Sequence, residues 1–169
     1  MFTLKANGYK TLSIVIRQFL DEVHETMDTE AAFSLMILAQ TFSLETKEGQ
    51  KETEFIFNSI SDHKIWGSLE LWERGINDSI KEEIDKNAIN NANESLEEKK
   101  LRQDNIKFGK IGCFVVSMLA LKINQSEVKL VIDKICASQN LPVDMAKTLQ
   151  VYNSHRIAFN NQKKVELKC

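Results

Sequence analysis

Apolar residues recur three and four positions apart along nearly the whole chain, the spacing that aligns one face of a helix. Leu12, Ile16, Phe19 and Val23 form the first such row, with Asn7 and Gly8 just before it. Asp28 is placed to cap a second helix from Thr29 to about Ser43. Phe33 and residues 35–39 make that helix apolar nearly all round, which predicts a position at the centre of a bundle. The polar stretch 46–53, with Gly49 inside, reads as a loop. Phe55, Ile56, Phe57 and Ile60 predict a short third helix. Ser61 and Asp62 then offer a break and a new cap. Ile65, Leu69, Trp72, Ile76 and Ile80 continue to Ile84 as a fourth helix, with Gly67 and Gly75 lowering its expected regularity.

Residues 85–93 hold four Asn and few apolar groups, and read as an exposed polar linker or a frayed helix end. Ser95, with Glu98 three positions on, is a capping-box pattern opening a long helix to about Lys122. Phe108, Ile111, Val115, Met118 and Leu119 form its apolar half, and Gly109 and Gly112 are expected to admit a neighbouring helix closely. Asn124 with Glu127 repeats the capping pattern, followed by Val128, Val131, Ile132 and Ile135 on one face. Pro142 fits the first turn of a last helix, whose stripe is Met145, Leu149, Tyr152, Arg156 and Phe159. No strand pattern is long enough to compete. The reading is an all-α fold: a single-domain bundle or short stack of six to seven helices. Its divisions are an N-terminal segment 1–8, a helical domain 9–160 and a tail 161–169.

Composition narrows the function. A chain of 169 residues with 43% hydrophobic and 27% charged residues is of single-domain size and ordinary globular make-up. One Pro and six Gly are too few for an all-β sandwich or barrel. A formal charge of −2, with no basic stripe, argues against nucleic-acid binding. Cys113, Cys136 and Cys169 form no CxxC pair, so zinc and thioredoxin-like chemistry lack a signature. Cys113 and Cys136 fall in apolar helical runs and read as reduced core thiols of a cytoplasmic protein. The longest apolar stretch, 111–121, is shorter than the ~20 residues a membrane span requires, and the first residues carry no secretory pattern.

Catalytic signatures are missing as well. His24, His63 and His155 are far apart, and GxSxG, Walker A and GxGxxG motifs are absent. Glu82, Glu83 and Asp85 read as a solvated helix end. No catalytic residue, cofactor or metal ligand is therefore expected. An enzyme whose site is built from distant residues, with His63 and Asp62, is the opposing reading. A one-core protein of this size needs large side chains, so both tryptophans can belong to the core. Trp72, on the apolar stripe, is the safer core residue, and Trp66 is the better candidate of the two for a surface anchor. The candidate partner-binding residues are Phe55, Phe57, Trp66 and Arg74. They predict an exposed apolar patch on the order of a few hundred Å² near Trp66 and the Phe55/Phe57 helix.

Residues 28–150 carry a further signal. The runs Ser34-Leu35-Met36-Ile37-Leu38-Ala39-Gln40-Thr41-Phe42, Asp62-His63-Lys64-Ile65-Trp66 and Leu69-Glu70-Leu71-Trp72-Glu73 come in that order. Asn105-Ile106-Lys107-Phe108-Gly109-Lys110-Ile111-Gly112 and Met118-Leu119-Ala120 follow. In order and spacing the stretch resembles a helical domain of the Set-binding factors, the DENN-containing, myotubularin-related pseudophosphatases, shared with a small family of cytosolic proteins. Arg74-Gly75-Ile76-Asn77-Asp78 departs from the aromatic and acidic continuation expected there. The resemblance brings no catalytic residues. It implies a scaffold or adaptor module in membrane trafficking or small-GTPase regulation, binding a small GTPase or its regulator. A structural segment of a larger helical-repeat protein is the alternative.

Overall fold

The computed structural model of the chain describes residues 2–45, 53–88 and 94–153. Its helices are α1 (Ala6–Thr26), α2 (Thr29–Thr41), α3 (Ile56–Ile60), α4 (Leu69–Ala88), α5 (Leu96–Ala120) and α6 (Gln125–Ser138), with a 3-10 turn at Lys64–Gly67. Residues 143–153 form α7. The architecture is all-α, as the apolar spacing predicts. The addition is a pair of strands, β1 (Phe2–Leu4) and β2 (Phe42–Leu44), joined in parallel with Phe2 opposite Phe42 and Leu4 opposite Leu44. At three residues each they are too short for alternation to register in the sequence, and their pairing is non-local. Contacts divide the chain into two compact units, Met1–Gly75 and Ile76–Cys169.

In the first unit, α1 packs against both α2 and α3. The face that meets them runs through Ser13, Ile16, Leu20 and Val23. Phe19, expected in the core, is 56% exposed, and Leu20 takes its place with no exposed surface. The Asp28 carboxylate caps α2 by accepting from the Ala31 amide at 3.0 Å. The helix ends at Thr41 rather than near Ser43, because Phe42 is extended and enters β2. Ala32, Met36 and Ala39 are buried, while Ile37 and Leu38 are exposed. So α2 buries one face and is not the centre of a bundle.

The expected fourth helix divides in two. The Nδ1 atom of His63 accepts from the Ile65 amide at 3.3 Å and opens the 3-10 turn. The Ser68 hydroxyl then accepts from the Leu71 amide at 3.2 Å and opens α4. Asp62 is not the cap; Arg17 Nη1 holds its carboxylate at 2.6 Å. This extra turn rotates Trp66 inward. Its ring is 2% exposed and its Nε1 donates to the Ile60 carbonyl at 2.8 Å. Trp72 Nε1 donates in turn to the Trp66 carbonyl at 2.8 Å, and the two rings lie 6.1 Å apart. Phe33 packs on Trp72 with centroids 5.3 Å apart. The same ring occupies the space where a side chain at Gly75 would stand.

In the second unit Ile76, Ile80, Ile111, Val115 and Met118 are buried together with Val128, Val131, Ile132 and Ile135, as the helical rows predict. The Ser95/Glu98 capping box is complete. Asn124 caps α6 through the Ser126 amide at 2.9 Å. Cys136 is buried, which pushes its thiol up, with Asp133 adding to the shift. Cys113, expected in the core, is exposed, because it lies off the Ile111–Val115–Met118 row. Among the described residues a Cβ at Gly109 would meet nothing within 4 Å, and one at Gly112 would make ordinary contact with Leu149, so neither glycine marks a close helix crossing there. Residues 85–88, read as linker or helix end, are the last turn of α4. The rest of that linker (89–93), the loop at 46–52, Arg156, Phe159 and the 161–169 tail lie outside the described residues.

Three helices end alike. Met27, Lys122 and Asn140 have φ of 51°, 60° and 50°. The amides that follow them, of Asp28, Ile123 and Leu141, reach back to the carbonyls of Val23, Met118 and Cys136. These are Schellman closures with a non-glycine residue in the left-handed position. Such a residue bears a steric cost that glycine avoids.

Candidate interaction surface

Each candidate residue from the sequence has a definite place. Trp66 is not a surface anchor, since its ring is in the core and its N–H is bonded to Ile60. Phe57 is also buried, at 8% exposure. Phe55 is half-buried and its backbone bridges Ser43, so β2 is flanked on both sides. The Phe55 carbonyl accepts from the Tyr9 hydroxyl at 3.0 Å, and Glu54 Oε1 accepts from the same hydroxyl at 3.3 Å. Burial first, and the Glu54 charge second, push the Tyr9 phenol up to about 12. Arg74 alone among the four carries an accessible charged tip. Its guanidinium pairs with Glu70 one turn back at 2.6 Å, a surface pair of modest worth.

The exposed apolar side chains of the first unit lie elsewhere. Ile14, Val15 and Phe19 stand out from α1, Ile37 and Leu38 from α2, and Phe2 from β1, where it stacks on Phe42. Sequence reasoning missed them for a specific reason. It assigned α2, apolar all round, to a bundle interior, where no face would remain open. The usable signal was the adjacent trio Ile14-Val15-Ile16, because one helix face cannot bury three consecutive residues.

A polar row of α1 is tied down. Arg17 Nη1 donates to the Ser59 carbonyl and to Asp62, each at 2.6 Å. The Arg17 hydrogen bond holds the Asp62 carboxyl below its ordinary range. Asp21 meets His63 Nε2 at 3.3 Å and Lys64 at 3.7 Å, and Lys64 also meets Glu25. These contacts fix α1 against the 3-10 turn.

The second unit presents a shallow hollow of about 420 Å³, lined by Glu98, Leu101, Arg102, Asn105 and Ile106, all on α5. Arg102 forks onto Glu94, with Nε at 3.0 Å and Nη2 at 2.8 Å, and this holds the Glu94 carboxyl below its ordinary range. Lys110 does the same for Glu83 at 3.1 Å, joining α5 to α4. Lys107 Nζ donates to the Gln139 carbonyl at 2.9 Å, where the α6 dipole is negative. Among the described residues no three His, Cys, Asp or Glu side chains gather as a metal site. No described helix is long and apolar enough to cross a membrane. His63 and Asp62 do not share a cleft: one is buried as a cap and the other is bonded to Arg17 at the surface.

Neither the curated proteins nor the solved structures contain a match to the chain. The family model SBF2, described as Myotubularin protein, matches residues 2–161. That span takes in both strands and every described helix, and it extends the resemblance carried by the Ser34–Phe42, Asp62–Trp66 and Leu69–Glu73 runs. The chain belongs to the SBF2 family of myotubularin proteins.

Proposed function

We propose that this chain is a non-enzymatic, cytoplasmic protein-interaction module, a scaffold or adaptor acting in membrane trafficking through a small GTPase or its regulator. Family membership over residues 2–161 is the observation that carries the reading. The helical architecture supports it, because polar groups are engaged in capping and in ion pairs between elements while apolar side chains are left outward on α1 and α2. Phe19 and Leu38 would supply the buried contacts and Arg74 the charged rim.

The test uses the purified chain against a panel of small GTPases, each loaded with GDP or a non-hydrolysable GTP analogue, by biolayer interferometry. The expected result is saturable binding to one nucleotide state, weakened at least tenfold by Phe19→Asp or Leu38→Asp and less by Arg74→Ala. Binding that is indifferent to all three variants, or no binding across GTPases and their exchange factors, overturns the proposal. Phosphate release from phosphoinositides above the buffer rate overturns its non-enzymatic part.

A further inference from the structure

His63 stands apart from that surface and holds chemistry that a plain core histidine lacks. The residue is 6% exposed. Its Nδ1 accepts from the Ile65 amide at 3.3 Å, so this nitrogen presents a lone pair. The single ring proton then sits on Nε2, 3.3 Å from Asp21 Oδ1, and donates to it. A second proton has one place to go, Nδ1. There it turns an acceptor into a donor pointed at another N–H, and the cap of the turn is lost.

We propose that His63 is a proton-operated latch: the neutral ring caps the Lys64–Gly67 turn through Nδ1 while Nε2 anchors it on Asp21, and protonation at Nδ1 releases the cap.

The charged groups facing the ring are Asp21 and Arg17 on α1 and Asp62 and Lys64 beside it, while α3 carries no titratable side chain. Asp21 favours the imidazolium. Arg17 and Lys64 oppose it, and burial opposes it most, so His63 titrates below the ordinary 6.5. A base whose folded pKa is depressed adds stability that is complete above the unfolded value. That stability is lost as pH falls from about 6.5 through the folded value. The latch is therefore closed at neutral pH and opens as pH falls through the folded value, which lies below 6.5.

Release reaches beyond the turn. The Trp66 amide donates to the His63 carbonyl at 3.2 Å and the Ser68 amide to the Ile65 carbonyl at 3.1 Å. The Trp66 carbonyl holds the Trp72 indole, and the Trp66 indole holds the end of α3. The turn thus joins α3 to α4 through two indole N–H groups, and loosening it loosens both.

The experiment is nitrogen-15 NMR of the imidazoles against pH, paired with amide exchange corrected for its intrinsic pH dependence. His63 signals are assigned by their loss in His63→Gln, or by through-bond correlation to its β protons should that variant fail to fold. The expected results are an Nε2-protonated tautomer at neutral pH, titration below 6.5, and a rise of at least tenfold in Ile65 and Trp66 amide exchange that follows His63 protonation. The Ile132 amide in α6 stays protected. Asp21→Asn keeps an acceptor for Nε2 but removes the charge, so it lowers the midpoint. An Nδ1-protonated tautomer, exchange at Ile65 that ignores the His63 titration, or an Asp21→Asn midpoint that stays or rises overturns the proposal.

Discussion

Gly75→Ala isolates the closest packing in the first unit. An added Cβ falls on Phe33 Cε2 and within 2.9 Å of Cδ2 and Cζ of the same ring. The ring cannot simply slide, because it rests on Trp72, which is fully buried. Overpacking of this kind costs about 1–3 kcal/mol. Alanine in a helix interior returns up to about 1 kcal/mol relative to glycine. The difference is a net destabilisation of about 0–2 kcal/mol, or up to roughly 8 °C in melting temperature for a chain of this size. Urea and thermal unfolding followed by far-ultraviolet circular dichroism measure it. The decisive control is Phe33→Ala. With the ring gone the overlap with Phe33 is removed, and Gly75→Ala costs less than in the wild-type background by about 1–3 kcal/mol. A Gly75→Ala variant that stabilises the wild-type background, or that costs the same in both backgrounds, refutes the argument.

Further outcomes follow from the caps and thiols. Ser95→Ala removes the capping box, with its Glu98 carboxylate on the Ser95 amide at 2.9 Å, and costs about 1 kcal/mol, read as faster amide exchange in the first turn of α5. Lys122→Gly relieves the left-handed φ of 60°. Its gain exceeds the extra chain entropy that glycine brings to the unfolded state, leaving about 0.5 kcal/mol of added stability in a thermal melt. In a Cys169→Ser background one thiol, Cys113, reacts with an aromatic disulfide under native conditions, and Cys136 reacts only after denaturant is added.

Local chemistry was legible in the sequence and long-range choice was not. Asp28, Ser95 with Glu98, and Asn124 were readable because a cap involves three or four consecutive residues. The α6 row was readable because Val128, Val131, Ile132 and Ile135 occupy a single face. In α1 two apolar rows compete, and the packing of α2 and α3 decides that Leu20 turns in and Phe19 turns out. Nothing near Trp66 in sequence announces that the turn capped by His63 precedes α4, and that turn alone puts the indole in the core. Helix ends were hard to place because Met27, Lys122 and Asn140 stand where glycine is the usual signal. The interaction surface was blurred for a related reason: the run Leu35–Ala39 tells that a helix is oily, not which of its sides a neighbour covers.

The placement of the two indoles gives the molecule an intrinsic optical label. The chain has two tryptophans, Trp66 and Trp72, and both belong to the 1–75 unit and are shielded from solvent. Emission near the blue end of the indole range therefore reports that half of the polypeptide, and the 76–169 half contributes no such fluorophore. Comparing the red shift on denaturation with the loss of ellipticity tells whether the halves melt in concert or in succession, with no dye attached.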